Sequence, residues 1–138
     1  MEYLRQRMSK VQELHEQAMM LSDQAMVARH QGEKARAMAL SSQAFEYELQ
    51  AVTLISDEKA SEPTRSILYC SAASLAYDAK KLWEAQQLIV EGLSGYPSPR
   101  IKHALKSLSE KVQAELQKKV RKLTFKREYV QPLLRKQA

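Results

Sequence analysis

An all-α fold is what this sequence predicts, and three observations carry that reading. Ala, Leu, Gln, Glu, Lys and Ser dominate the chain, and these side chains lose little freedom, or none, on entering a helix. Only three glycines and four prolines interrupt 138 residues. Apolar residues also recur at three- and four-residue steps over long stretches, the spacing of one helical face. The length fits one domain with a real core. A hydrophobic fraction of 44% with 28% charged residues fits a soluble globular protein.

The first helix is expected from about Tyr3 to His30, on a stripe of Leu4, Met8, Val11, Leu14, Ala18, Leu21, Ala25 and Ala28. Gln31-Gly32 ends it, glycine being the usual residue where a helix closes in a left-handed turn. A second helix follows from Glu33 to Ile55, with Ala37, Leu40, Ala44, Tyr47, Leu49 and Leu54 as its apolar positions. Ser56 to Glu62 is polar and acidic and reads as a linker. Pro63 suits the first turn of a third helix, which continues through Ile67 to Ala79. After a short turn at Lys80-Lys81, Leu82 to Leu93 form the fourth, stopped by Gly95-Tyr96-Pro97. Ser98 then caps a fifth, with Pro99 just inside it. Ile101, Leu105, Leu108, Val112, Leu116, Val120 and Leu123 keep one face of it apolar. Thr124 to Val130 is β-branched and aromatic, and Pro132 argues against simple helical continuation. Residues 124–138 are therefore expected to be a separate arm: a short strand, an irregular segment or a disordered one.

The two hairpins, residues 3–55 and 63–95, share a pattern. Ala25, Gly32, Ala37 and Ala44 are spaced by seven, five and seven residues; Ala73, Lys80, Ala85 and Gly92 repeat that spacing 48 residues later, with Pro97 five further on. Small residues at such places let antiparallel helices approach closely. This spacing resembles the tetratricopeptide repeat: Tyr69 and Ala73 stand at its large and small first-helix positions, and Ala85, Ile89, Gly92 and Pro97 match its second helix and terminating proline. Lys80 in place of the turn glycine and the insert at Ser56–Glu62 depart from the pattern. The first hairpin also resembles the three-helix microtubule-interacting-and-transport domain. EPTRSILYCSAASLA with the following LIVEGLSGYP is similar to small uncharacterised bacterial tetratricopeptide-like proteins. A plain helical bundle with small residues at its crossings is the simpler alternative.

The tetratricopeptide resemblance implies a right-handed stack of about five antiparallel helices that binds a protein segment in a groove lined by the first helix of each repeat. Mapped here, that groove would present Met19, Ser22, Met26, Arg29 and His30 from the first hairpin, and Ile67, Cys70, Ser74, Tyr77 and Asp78 from the second. Stacked repeats need about three units for stability. The helix from Ser98 to Leu123 is thus expected to cap the stack and complete a domain over residues 1–123; otherwise the chain dimerises, for which that long helix is the natural surface.

Catalytic chemistry finds little support. His15, His30 and His103 lack metal-ligand spacing and read as solvent-facing or capping residues. The single cysteine, Cys70, excludes an internal disulfide and reads as packing or groove lining. No phosphate-binding glycine loop, nucleophile elbow or Ser/His/Asp constellation is visible. A non-enzyme without metal or cofactor is expected. The opening MEYLRQRMSK has no apolar signal core, Glu2 excludes N-myristoylation, and no apolar run approaches the roughly 20 residues that span a bilayer. A cytoplasmic protein without membrane attachment is the default. All six methionines fall in the first 38 residues, adaptable surface for a partner or ordinary core filling.

Charge is unevenly placed. Residues 100–138 hold twelve Lys/Arg against three Glu, whereas residues 1–99 hold ten against thirteen Asp/Glu. Lys118, Lys119, Arg121, Lys122, Lys126 and Arg127 fall within ten residues, interleaved with Phe125 and Tyr129. Cations release counterions from phosphates and aromatics stack on unpaired bases, so residues 118–136 suit nucleic acid. They equally suit an acidic protein, with Phe125, Tyr129, Leu133 and Leu134 as anchors, or a solvated helix end whose cations favour the negative pole of the dipole. The leading expectation is a non-catalytic adaptor within a larger assembly; the alternative is a small nucleic-acid-binding accessory protein.

Overall fold

The computed structural model describes residues 1–137, and side chains as far as Arg127. Its elements are α1 (Glu2–His30), α2 (Lys34–Leu54), a short 3-10 turn (Lys59–Ser61), α3 (Thr64–Asp78), α4 (Leu82–Leu93) and α5 (Pro99–Gln137), with no strand among the described residues. Each helix packs on the next in sequence, and α5 also rests on α3. The result is the all-α stack of five helices that the periodicity predicts.

The two hairpin turns are copies of each other. At the first, Gly32 takes φ +78°, its N–H donates to the Arg29 carbonyl at 3.1 Å, and the Glu33 N–H reaches back to the Ala28 carbonyl at 2.9 Å. At the second, 48 positions on, Lys80 takes φ +63°, with N–H bonds from Lys80 to Tyr77 at 3.0 Å and from Lys81 to Ala76 at 2.8 Å. This is the left-handed closure that recovers orphan carbonyls at a helix end. Lysine there accepts a strained conformation that glycine adopts freely.

The small residues serve close packing. Ala25, Ala37, Ala44, Ala73 and Ala85 are all buried. Gly92 marks the tightest crossing: a methyl group there would lie 3.0 Å from Tyr69 Cβ and 3.2 Å from Leu105 Cδ1. The Tyr69 Cβ moves only with the α3 backbone. Gly92→Ala is therefore expected to destabilise the fold by roughly 1–3 kcal/mol, the usual cost of overpacking, and to lower the thermal midpoint followed by circular dichroism. An unchanged midpoint would mean that α3, α4 and α5 are packed more loosely than this.

Polar caps complete the joints. Ser98 Oγ accepts from the Ile101 N–H at 3.3 Å, as its position before Pro99 predicts. Glu62 accepts from the Ser66 N–H at 3.2 Å and from Ser66 Oγ at 2.8 Å, covering donors at the start of α3. At the open end of the first hairpin, Arg7 Nε donates to the Leu54 carbonyl at 2.5 Å, tying α1 to the last carbonyls of α2.

Three expectations need correction. In α2 the packing positions are Ala37, Ser41, Ala44, Phe45, Glu48, Ala51 and Val52, while Tyr47 and Leu49 are exposed. In α1, Leu4 and Met8 stay exposed, and the first buried position of the stripe is Val11. Finally, α5 does not stop at Leu123 but continues to Gln137, so the segment after Leu123 is helical rather than a strand or an irregular run. The penalties for Thr124, Phe125, Tyr129 and Val130 are a few tenths of a kcal/mol each. Pro132 costs more, about 3 kcal/mol, because a proline inside a helix loses its N–H bond and crowds the carbonyl four residues earlier. A stretch rich in Lys, Arg, Leu and Gln carries the helix across them.

Candidate protein-binding face

The outward sides of α1 and α3 run alongside each other and form an accessible face with a cavity at each end. The first has a volume of about 560 Å³, and Met8, Val11, Gln12 and His15 from α1 line it with Thr64, Ile67 and Leu68 from α3. The second, about 420 Å³, lies beside the hairpin turns among Arg29, Lys34, Met38, Tyr77, Asp78 and Lys80. Of the groove residues predicted from sequence, Ile67 lines the first cavity, and Arg29, Tyr77 and Asp78 meet in the second. Met19, Ser22, Cys70 and Ser74 are half-buried on the helices between them, and Met26 and His30 are exposed. Helix periodicity explains this arrangement, since residues three and four apart share one side of a helix.

The two ends differ in chemistry. The end at Met8 and Ile67 also includes Arg5 and Ser9, so it holds one Lys or Arg where the turn end holds three. At the turn end, burial raises the Asp78 carboxyl above its usual range, while Arg29, Lys80 and Lys111 of α5 pull it back down. With Lys34 beside them, cations outnumber the one carboxylate there. The Lys80 ammonium also sits 5.9 Å from the centre of the Tyr77 ring.

Nucleophiles on this face are quiet. Burial raises the Cys70 thiol, which keeps it protonated at neutral pH. Ser74 Oγ donates to the Cys70 carbonyl of its own helix at 2.9 Å. Among the described residues, no three His, Cys, Asp or Glu side chains are grouped to hold a metal ion, and no helix is long and apolar enough to cross a membrane.

A buried network behind the face was not expected. Glu48 of α2 is fully buried, and both its carboxylate oxygens face His15 Nδ1 of α1, at 3.0 and 2.9 Å. Ser71 Oγ of α3 donates to the same carboxylate at 2.5 Å. His15 is thus not a cap: its side chain stays about a third exposed but turns Nδ1 onto a buried carboxyl group, which refines the sequence reading. Its ring closes a link between three helices and forms part of the wall of the cavity at Met8 and Ile67. The signal was present: Glu48 falls on the α2 stripe of Ala44, Phe45, Ala51 and Val52, where an unpaired charge would be costly.

The basic cluster lies on α5. Lys118, Lys119, Arg121, Lys122, Phe125, Lys126 and Arg127 are all exposed. Lys118 pairs with Glu115 at 3.3 Å. A shallow hollow of about 590 Å³ follows Lys119, Arg121, Lys122, Leu123, Phe125 and Lys126. Tyr129, Leu133 and Leu134 lie outside the residues whose side chains are described. Comparison with family models, curated proteins and solved structures finds no match for this chain.

Proposed function

We propose that this chain is a non-catalytic, tetratricopeptide-like interaction module, an adaptor or accessory of a larger cytoplasmic assembly that works without a cofactor. It holds a segment of a partner protein along the outward side of α1 and α3. One observation carries the reading: this face joins a cavity at Met8 and Ile67, where Arg5 is the one Lys or Arg, to a more strongly cationic one at Arg29, Lys34 and Lys80. Met8 and Arg29 are 21 residues apart on one helix, about 32 Å at 1.5 Å per residue. An extended segment of about ten residues covers that distance. Its expected chemistry is apolar near Met8 and acidic near the turns. The repeated turn geometry supports the repeat-like architecture, and the inert Cys70 and Ser74 support binding over catalysis.

A second reading rests on the six exposed Lys and Arg side chains of residues 118–127, which suit phosphates. One experiment separates the two. The intact chain, Arg29→Ala/Tyr77→Ala and a chain truncated after Leu123 are used to capture partners from native lysate, with and without nuclease. On the adaptor reading, a defined protein survives nuclease and truncation and is lost with Arg29→Ala/Tyr77→Ala, a folded variant by circular dichroism. Retention that disappears with nuclease or truncation, but not with the double substitution, sinks the adaptor reading and favours nucleic acid.

A further inference from the structure

The outward side of α4 and the overhanging part of α5 are complementary, and we propose that the α5 overhang of one copy of this chain docks on α4 of a second copy. The contact uses neither cavity of the α1–α3 face and stands apart from the adaptor reading.

On α4, the inner positions are buried against the stack. Trp83 and Val90, seven residues apart on the other side, are 68% and 57% exposed. Tryptophan is one of the residues enriched among the anchors of protein interfaces. Glu84 and Glu91, also seven residues apart, stand beside that pair; neither forms an ion pair among the described residues, although Glu91 also meets the Tyr69 hydroxyl. The outer side of α4 is thus an aromatic and apolar stripe with an acidic edge.

Helix α5 offers the converse. Its apolar stripe is covered through Leu116, then emerges with Val120 at 56% and Leu123 at 68% exposure. Lys119, Lys122 and Lys126 surround these two residues, and none of the three forms an ion pair among the described residues. Lys119 and Lys126 are seven residues apart, like Glu84 and Glu91. Seven residues are two helical turns, about 10.5 Å on either helix, so two ammonium groups can meet two carboxylates while Val120 and Leu123 cover Trp83 and Val90. The length fits as well: residues 117–127 extend about 16 Å, and the 12 residues of α4 about 18 Å.

The same chain cannot make this contact with itself. Ser109 of α5 already meets Gln86 of α4, Oγ to Oε1 at 3.5 Å. The helix continues unbroken from there, so residues 117–127 are carried past α4 rather than back over it. A second copy supplies the missing surface. Because two different surfaces meet, reciprocal exchange closes a two-fold dimer, and one-way docking builds a longer chain of copies.

Sedimentation equilibrium of the full-length protein tests this, over a hundredfold range of concentration and at low and about 1 M salt, where the Debye length falls to about 3 Å. The expected result is a mass above 15.8 kDa that increases with concentration and falls in high salt. Trp83→Ala and Leu123→Asp, both exposed positions, should each return the monomer. Glu84→Lys/Glu91→Lys should also return it, and adding Lys119→Glu/Lys126→Glu to the same chain should restore association. A wild-type mass of 15.8 kDa at every concentration overturns the proposal. So does association that survives Trp83→Ala, that the charge swap fails to restore, or that requires co-purifying nucleic acid.

Discussion

Glu48→Ala is expected to lower the stability of the fold by roughly 2–5 kcal/mol, the cost of stranding its hydrogen-bond partners and opening a void in the core. The carboxylate is fully buried and receives His15 Nδ1 on both oxygens and Ser71 Oγ on one. Removing it leaves the Ser71 hydroxyl and one side of the imidazole without partners, and opens a void where α1, α2 and α3 meet. An orphaned buried polar group alone costs about 1–3 kcal/mol. The void adds to that because Ala44 and Ala51, on the same side of α2 as Glu48, are buried and have no long side chains to fill it.

The paired substitution makes the test sharp. His15→Ala should also be strongly destabilising, since it leaves the Glu48 carboxylate buried with Ser71 as its remaining donor. Glu48→Ala/His15→Ala should then cost clearly less than the sum of the singles, because the second change deletes a group already stranded by the first. Chemical denaturation followed by circular dichroism measures all three. Additive losses, or a loss below about 1 kcal/mol for Glu48→Ala, would show that the network contributes little net stability and that apolar packing alone joins α1, α2 and α3.

The sequence reading succeeded where one local rule acts alone. Gly32 and Ser98 are punctuation with a single meaning, and the structure places a left-handed turn at one and a cap at the other. The repeat was legible for the same reason: a spacing of small residues survives even where Lys80 replaces glycine. It failed where two rules compete. On α2 the bulky Tyr47 and Leu49 outweighed a stripe of alanines, although close helix crossings select small residues. Counting only apolar residues also hid the polar positions of the inner stripes, Ser41, Glu48, Arg65 and Ser66. At the end of α5, a proline and a β-branched run suggested a break, but each opposes only its own turn. The cationic cavity was half legible: Arg29, Tyr77 and Asp78 were expected from the tetratricopeptide resemblance, whereas Lys34 and Lys80 come to it from the two hairpin bends, whose direction a single sequence does not specify.

Arg65→Ala should be the second costly change, at roughly 2–4 kcal/mol, and its effect should extend to the linker between the hairpins. Arg65 is 3% exposed. Its Nε donates to Asp57 Oδ1 at 3.0 Å and Nη2 to the Glu91 carbonyl at 3.1 Å, while Nη1 lies 3.8 Å from Glu62 Oε1. The guanidinium also covers the Tyr69 ring at 4.6 Å. One side chain therefore holds both ends of the linker and the last turn of α4. Gly95 is what makes room for it, since a Cβ there would collide with Nη1. The partners do not depend on it equally. Asp57 is largely exposed and can turn to water, and Glu62 keeps its two bonds from Ser66. Most of the loss should then come from the buried stem and the Glu91 carbonyl, so Arg65→Met should recover part of the stability lost in Arg65→Ala. Arg65→Lys should not recover the rest, because an ammonium cannot reproduce the planar fork. Two further readouts follow. Amide exchange in residues 56–62 should speed up in all three variants. The Tyr69 hydroxyl, already raised by burial first and by Glu91 next, should rise further in Arg65→Met, which removes the neighbouring cation that lowers it. A spectroscopic titration in which Tyr69 does not move, together with unchanged exchange in the linker, would mean that Arg65 fills space without tying the linker to α4.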